Sequence, residues 1–477
     1  MLELFGDEPA TTTATAENVI EWRSLLQYTE DGAVKSSLPN LQLILENDPR
    51  TAGVCKFNEF TQETTLRGVP AKSKRKVRDG KPIKQLDGPV WDVQDQVNGE
   101  MWGDIHDHSI RAMLESPKGQ GGYDIKVTDR DLRAAIETVA RKNSFHPVRE
   151  YLTAQEWDGT KRVDRMFIDY LGCPDTPYHR ATARLMLIGA VVRVFEPGHK
   201  FDFVPILEGL QGKGKSTFIN ILGHAWSCEL TGDFGDSKGM VEMMQGSWII
   251  EIPELQGFSK AEINDIKSFV SRVSDKVRLA FAHRAQVYPR QCIFVGTTNE
   301  EEYLRDATGG RRFWPVKCQL EGQIDNKRFG EEVHQIWAEA YAMYRDMRQV
   351  QPYGTLPLYL SDSRAEAEAL LIQDSRRVET AEDTLAGKIA AWLDSPIGSD
   401  SGFDDLDPAA PAIYRQETCI PEIWEKCLNK DGVIPHREAI MMGKAMGLLT
   451  GWERSPGIVR SGLAQKYGGK VRIYKRS

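Results

Sequence analysis

The sequence predicts an α/β protein: a P-loop NTPase core, with a largely helical N-terminal region before it and a small C-terminal winged-helix-like domain after it. Three observations predict this. An apolar run (Phe203, Val204, Ile206, Leu207) leads into Gly209-Leu210-Gln211-Gly212-Lys213-Gly214-Lys215-Ser216, and a helix-forming run from Thr217 to Leu222 leads out and stops at Gly223. That is the G-x-x-x-x-G-K-[ST] phosphate loop in its strand–loop–helix setting. Two later apolar runs, within 246–254 and 292–299, end in polar side chains as further sheet strands should. Residues 412–477 read as helix (Pro421–Leu428), helix (Pro435–Leu449) and two strands around Gly468-Gly469, an order that suits a winged helix.

The rest of the chain sorts in order. Residues 1–18 are Thr-rich and acidic without an apolar period, and read as a tail within an N-terminal region, 1–90. Asn18–Tyr28 and Leu38–Asn47 read as short amphipathic helices and Phe57–Val69 as a hairpin. Residues 71–84 are basic and poor in apolar residues, as an exposed, solvated loop would be. A mainly helical domain, 91–199, includes Leu132–Lys142, opened by a capping-box pattern at Thr128–Asp131 and broken at His146-Pro147. It also includes a long buried helix, Tyr178–Phe195, ended by Pro197-Gly198. The ATPase core spans 200–350, with a helix over 325–350. A helical extension covers 351–393, with its helix at 375–393. An acidic linker follows over 394–411, then the terminal domain over 412–477.

Composition narrows the class. The 477 residues are 40% hydrophobic and 27% charged, as in ordinary globular domains, and no apolar run reaches the ~18 residues of a membrane span. The first residues lack a basic start followed by an apolar core, so no signal peptide is expected. The seven cysteines are scattered with no C-x-x-C, which points to neither zinc nor a disulfide framework and suits a reducing cytoplasm. A net charge of −8 excludes a surface that is basic everywhere, but leaves room for a local basic channel for nucleic acid.

The expected ligands are ATP and Mg²⁺. Backbone N–H groups of Gly209, Gly212, Lys213, Gly214, Lys215, Ser216 and Thr217 would wrap the phosphates at a helix N-terminus. Lys215 would reach the β/γ-phosphates and Ser216 would ligate the metal. The strand Trp248-Ile249-Ile250-Glu251-Ile252 matches a Walker B run, in which Glu251 holds Mg²⁺ or its water; Glu254 follows a proline and could orient or deprotonate the attacking water. Sequence alone does not divide these two roles. Asn299 closes the third strand, where additional-strand NTPases carry a sensor for the γ-phosphate or the lytic water. Arg311 and Arg312, behind Gly309-Gly310, are placed for an arginine finger, with one of the two free to serve a structural ion pair. The His106-Asp107-His108 run reads as two solvent-facing histidines rather than a metal site.

These motifs, taken in series, resemble the virulence-associated E family of phages, prophages and pathogenicity islands. The carriers are FHPVREYL (145–152), EWDGTKRVDRM (156–166), PGHKFDF (197–203), LEGLQGKGKSTFINILG (207–223), WIIEIPEL (248–255), IKSFVSR (266–272) and PRQCIFVGTTNEEEYLRDATGGRRFWPV (289–316), within roughly 85–350. The resemblance implies an AAA+ core akin to superfamily III helicases, with Lys215 and Ser216 as Walker A, Glu251 as Walker B, Asn299 as sensor and Arg311 or Arg312 as finger. Here Glu-x-x-Glu stands where adjacent acids are usual, which leaves the catalytic base open. Superfamily III helicases carry a strand-gripping hairpin between Walker B and sensor. In this chain the interval holds Lys267, Arg272, Lys276, Arg278, His283 and Arg284 with interleaved aromatics, a pattern suited to single-stranded DNA. The expectation is thus an ATP-hydrolysing replicative helicase of a phage or mobile element in a bacterial cytoplasm. It would work as a homo-oligomer, a hexamer-like ring, and the basic C-terminal domain would contact origin DNA or replication proteins. The alternative is an AAA+ ATPase that remodels protein or DNA complexes without unwinding.

Overall fold

Five apolar runs pair into one parallel sheet in the computed structural model of this protein, which describes residues 22–67, 77–78, 81–82, 98–232, 234, 236–278, 284–304, 310–378, 381–397, 413–456, 462–468 and 471–476. The expected tail (1–18), most of the basic segment 71–84, His283 and most of the expected linker lie outside the described residues. The chain divides into two compact units, Met1–Tyr303 with Thr308–Arg376, and Leu304–Ala307 with Arg377–Ser477.

The first unit begins with a small α+β layer. Helices α1 (Leu38–Asn47), α2 (Asp104–Glu115) and α3 (Asp129–Lys142) surround an antiparallel sheet of β1 (Cys55–Asn58), β2 (Glu63–Leu66) and β3 (Glu100–Met101) over a core that includes Leu41, Ile44, Ile110, Leu132 and Ile136. α3 starts at Asp129, three residues before the expected Leu132, because the Thr128 hydroxyl accepts the Asp131 N–H and so caps the helix there. His146 does not merely break that helix; it caps the next, α4 (Pro147–Ala154). His106 corrects an expectation. It is buried, and its Nδ1 accepts the Gly103 N–H at the start of α2, while His108 is exposed.

The larger core follows. Helix α5 (Met166–Leu171) and the long α6 (Pro177–Phe195) cover the five-stranded sheet, and α6 is buried on nearly every side, which explains its apolar run. The sheet contains β4 (Val204–Glu208), β5 (Ser227–Glu229), β6 (Ile249–Ile252), β9 (Ile293–Thr298) and β10 (Phe313–Lys317), in the order β10-β4-β9-β6-β5. Every pairing is parallel. The fourth strand in chain order thus lies between the first and the third. Parallel strands buried on both faces need continuous apolar runs, and 249–252 and 293–298 are buried throughout. Helix α7 (Lys215–Gly223) follows β4, and α8 (Ser237–Met244) and α9 (Lys260–Val270) flank β6. The 25-residue α10 (Asn326–Val350) packs on α7: Phe218 stacks on Phe329 at 4.0 Å, and Trp337 donates its indole N–H to the Leu222 carbonyl at 3.0 Å. Helix α11 (Ser363–Ser375), capped by Asp362, closes this unit; the sequence pattern predicts no helix there, because these 13 residues carry only a short alanine-rich apolar stripe.

Between α9 and β9 an antiparallel hairpin projects, β7 (Ser274–Val277) with β8 (Gln286–Pro289). Its base is a buried ion pair. Arg290, 3% exposed, donates to Asp275 at 2.7 and 3.1 Å and to the Phe269 carbonyl at 2.5 Å, and stacks over Phe269.

The second unit has its own core. Helix α12 (Ala381–Leu393) packs through Leu385, Ile389 and Trp392 on Trp424, Met442 and Met446. An antiparallel sheet joins β11 (Glu417–Cys419), β13 (Ile473–Arg476) and β12 (Trp452–Arg454), in that order. A short helix and π-turn at 420–427 and helix α13 (His436–Leu448) lie between β11 and β12. The strand expected just before Gly468 is instead helix α14 (Gly462–Lys466), in which Ala464 is buried; of the two strands that pair with β13, the later lies at 452–454. The packing places α12 with this unit, so the division falls at 376/377 and not at the expected 393/394.

Removing one partner of a buried ion pair strands the other charge and costs about 3–5 kcal/mol. Arg290→Ala should therefore strip hydrogen-exchange protection from the amides of 274–277 and 286–289 and lower the thermal transition. Unchanged protection would mean that the hairpin stands without its Asp275 clamp.

Candidate active site

The carboxyl ends of β4, β6 and β9 meet at one edge of the sheet, beside the place where the strand order reverses. Ligands of open α/β sheets bind at such edges. The loop after β4 turns tightly: Gly212 and Gly214 sit at φ 81° and 89°, where a Cβ is strained, and a Cβ on Gly214 would also meet the Asn326 amide at 2.6 Å. The Gly209 N–H donates to the Thr298 carbonyl at 3.2 Å, tying the loop to β9.

Four of the sequence-predicted residues come together here. Lys215, the first residue of α7, is buried, and its Nζ donates to the Gly209 carbonyl (2.5 Å), the Leu210 carbonyl (3.0 Å) and Asn299 Oδ1 (3.1 Å). Its ammonium thus occupies the space the loop encloses, and burial lowers its pKa. Ser216 donates its hydroxyl to Glu251 Oε1 at 2.8 Å. Glu251, 2% exposed, accepts a second hydroxyl on the same oxygen, from Thr297 at 2.8 Å. Burial raises the Glu251 carboxyl above its usual range, opposed by those two hydrogen bonds. Thr217 is exposed on the first turn of α7.

Other predicted residues are placed differently. Lys213 turns its ammonium away from the loop, onto the carbonyls of Leu320, Glu321 and Gly322 at 2.6, 2.9 and 2.9 Å. Its side chain braces the loop, as do Gln323 on the Gly212 carbonyl and Asn326 on the Gly214 carbonyl, each at 3.2 Å. Glu254 is exposed, in left-handed backbone (φ 48°), with no side-chain partner among the described residues. A non-glycine residue there is strained by roughly 1–2 kcal/mol. Arg312 pairs with Asp202 at 3.3 Å, whereas Arg311 is exposed and has no partner among the described residues.

The basic interval divides as well. Lys267 is buried beneath the Phe313 ring, 5.6 Å from its centroid, and half-buried Arg272 lies 3.5 Å from Asp275. Burial thus removes Lys267 from the expected strand contact, while Arg272 lies at the hairpin's base. Lys276, Arg278 and Arg284 are exposed on the hairpin, and His283 lies outside the described residues.

Sequence reasoning missed two groups. Thr297 carried a weak signal: a hydroxyl two residues before Asn299 in a buried apolar strand. A second network had none. Glu208, buried at the end of β4, accepts from Tyr303 at 2.8 Å and from Arg376 at 2.9 and 3.0 Å, joining residues distant in sequence just before the glycine loop. A cavity of about 670 Å³ lies apart, lined by Arg180, Arg184, Met343 and Tyr359 among others, and none of the predicted site residues borders it.

The donor set suits a hard divalent cation. A hydroxyl and a carboxylate 2.8 Å apart, at a helix N-terminus, are oxygen ligands of the kind Mg²⁺ takes. If the buried lysine serves phosphate, Lys215→Ala should weaken ATP-analogue binding at least tenfold and abolish turnover, read by equilibrium titration and phosphate release. Near-normal values in the folded variant would remove Lys215 from the site.

Residues 152–372 match the virulence-associated protein E-like domain. No curated protein matches the chain. Among solved structures, the A-form apo structure of the NrS-1 C-terminal region is similar at 11% identity and TM-score 0.39, over 69% of this chain and 78% of that one. An apo structure of the same region (305–718) is similar at 12% and 0.41, over 68% and 78%. The structure of an inhibitor bound to JCV helicase is similar at 11% and 0.25, over 61% and 84%. The family match starts later and ends later than the resemblance read from sequence, leaving out the N-terminal layer and taking in α11. Residues 152–372, which hold the parallel sheet together with Lys215, Ser216, Glu251 and Asn299, are the part of this chain that matches the virulence-associated protein E-like domain.

Proposed function

We propose that this chain is an ATP-hydrolysing motor that acts on DNA for a phage or mobile element, and that it works as a ring of identical subunits. One observation carries the reading: Lys215, Ser216, Glu251 and Asn299, from three separate strand ends, meet within hydrogen-bonding distance at a glycine loop and helix N-terminus. The insertion of β9 between the glycine-loop strand and the Glu251 strand supports an additional-strand, AAA+-like NTPase.

The residues divide the work as follows. The N–H groups of the glycine loop and of the first turn of α7 receive the phosphates. Lys215 exchanges the Gly209 and Leu210 carbonyls for phosphate oxygens and keeps Asn299 beside the γ-phosphate position. Ser216 and Glu251 hold Mg²⁺, which neutralises phosphate charge when bound. Glu254 presents an unpartnered carboxylate from strained backbone, a state that suits a general base for water; Glu251, hydrogen-bonded twice, suits the metal. Arg311 stabilises transferring charge in a neighbouring subunit, while Arg312 is occupied by Asp202. The exposed charges of the hairpin follow the phosphates of single-stranded DNA. The C-terminal unit, read as a winged helix, contacts origin DNA or replication proteins.

A second reading has an observation in its favour. Two of the interval's basic residues, Lys267 and Arg290, are buried, which reduces the charge left for DNA and favours an ATPase that remodels complexes without unwinding. DNA-stimulated turnover separates the two. On the motor reading, neutralising Lys276, Arg278 and Arg284 together should weaken single-stranded DNA binding and lower the slope of log affinity against log salt by about 0.7 for each phosphate no longer neutralised. Basal ATPase should survive. A wild-type protein whose turnover ignores DNA would favour the remodelling reading.

The shared site has its own test. Lys215→Ala and Arg311→Ala subunits, each inactive alone, should recover part of the ATPase activity when mixed, because some interfaces then carry both intact partners. Mixed rings without recovery would place the finger elsewhere.

A further inference from the structure

We propose that Thr297 is a positioning residue that keeps the Glu251 carboxylate in place for the metal that Ser216 would ligate. The inference rests on the nucleotide-and-Mg²⁺ reading of this site. Thr297 and Ser216 both donate to Glu251 Oε1, each at 2.8 Å, and two donors fill the two lone pairs of that oxygen. The two hydroxyls are not equivalent. Ser216 is exposed at the helix N-terminus, and its oxygen keeps lone pairs for a cation while its proton stays on the carboxylate. Thr297 is buried on the central strand, and its β-branched side chain is stiff at χ1.

The backbone enforces this arrangement. β9 runs parallel to β6 with Val295 opposite Glu251, so Thr297, two residues on, lies on the same sheet face one step toward the carboxyl edge. Among the described residues, Ser216 and Thr297 are the hydrogen-bond donors to the Glu251 carboxylate. Thr297 thus fixes Oε1 from within the sheet, whichever way the exposed Ser216 is drawn by a cation. Without that hold the carboxylate would have to be ordered at the moment of metal binding. A hydroxyl in a run of Ile293, Phe294 and Val295 is costly unless bonded, so the carboxylate is also what makes a threonine tolerable there.

The test compares Thr297→Val, which removes the hydroxyl at nearly constant shape, with Thr297→Ser, which keeps it. Equilibrium binding of a fluorescent ADP is measured first in EDTA, then as a function of Mg²⁺, alongside a thermal melt. Outer-sphere partners of metal ligands typically contribute about 10–100-fold to metal affinity. We expect Thr297→Val to bind nucleotide in EDTA within about twofold of wild type but to require at least tenfold more Mg²⁺ for half-saturation, and Thr297→Ser to restore the wild-type requirement. An unchanged Mg²⁺ requirement in Thr297→Val, or no rescue by serine, overturns the role of Thr297 while leaving the nucleotide site standing. If Thr297→Val loses nucleotide binding in EDTA as well, Thr297 serves the fold and the proposal is equally overturned. Should valine prevent folding, Thr297→Ala makes the same comparison. Wild-type protein that binds no nucleotide under either condition overturns the function reading itself.

Discussion

Strand β9 must run parallel between β4 and β6, and the candidate site exists because it does. That single insertion brings Asn299 to Lys215 and Thr297 to Glu251, pairs that are 84 and 46 residues apart in sequence. It also places the glycine loop at the point where the strand order reverses, so the loop faces an open crevice. The strands that hold this order are short, and their pairing is secured by burial on both faces rather than by length. α6 lies against the same core, and Trp248 on the sheet donates its indole N–H to the Ala190 carbonyl at 3.0 Å. Moving any one of the three strands by a residue would turn its site residue to the opposite face.

The glycine loop is braced from behind. Lys213, Gln323 and Asn326 bridge it to the segment that opens α10, and α10 in turn packs on α7 through Phe329 and Trp337. A loop of glycines has high conformational entropy in isolation. Side-chain bonds to the Gly212 and Gly214 carbonyls remove part of that freedom before any ligand arrives. The Glu208–Tyr303–Arg376 network acts on the other side, holding the end of β4 at the place where the loop begins. Preorganisation of this kind lowers the cost of binding a flexible ligand.

The hairpin shows charge used in two ways. Arg290 and Asp275 are desolvated together, and guanidinium stacking on Phe269 and Phe294 offsets part of that cost. Lys276, Arg278 and Arg284 are exposed on the hairpin. The buried pair gives the hairpin a rigid base, and the exposed set gives it a surface.

The sequence by itself determined the local features. A phosphate loop needs glycines at fixed offsets, a buried parallel strand needs an unbroken apolar run, and a long helix ends at Pro197-Gly198; each requirement is met within a short stretch of chain and can be read there. Lys215, Ser216, Glu251 and Asn299 were legible for that reason, as were α6 and α10. The tertiary structure alone decided which side chain meets which. Lys213 and Lys215 are both loop lysines, yet one braces carbonyls at 320–322 and the other lies beside Asn299. Arg290 and Arg278 belong to one basic run, yet Arg290 is buried against Asp275 and Phe269 while Arg278 is exposed. Arg311 and Arg312 are adjacent, and Asp202 from the strand approach claims only the second. Such choices depend on strand order and on distant partners, whereas sequence periodicity reports only which face of its own element a residue occupies.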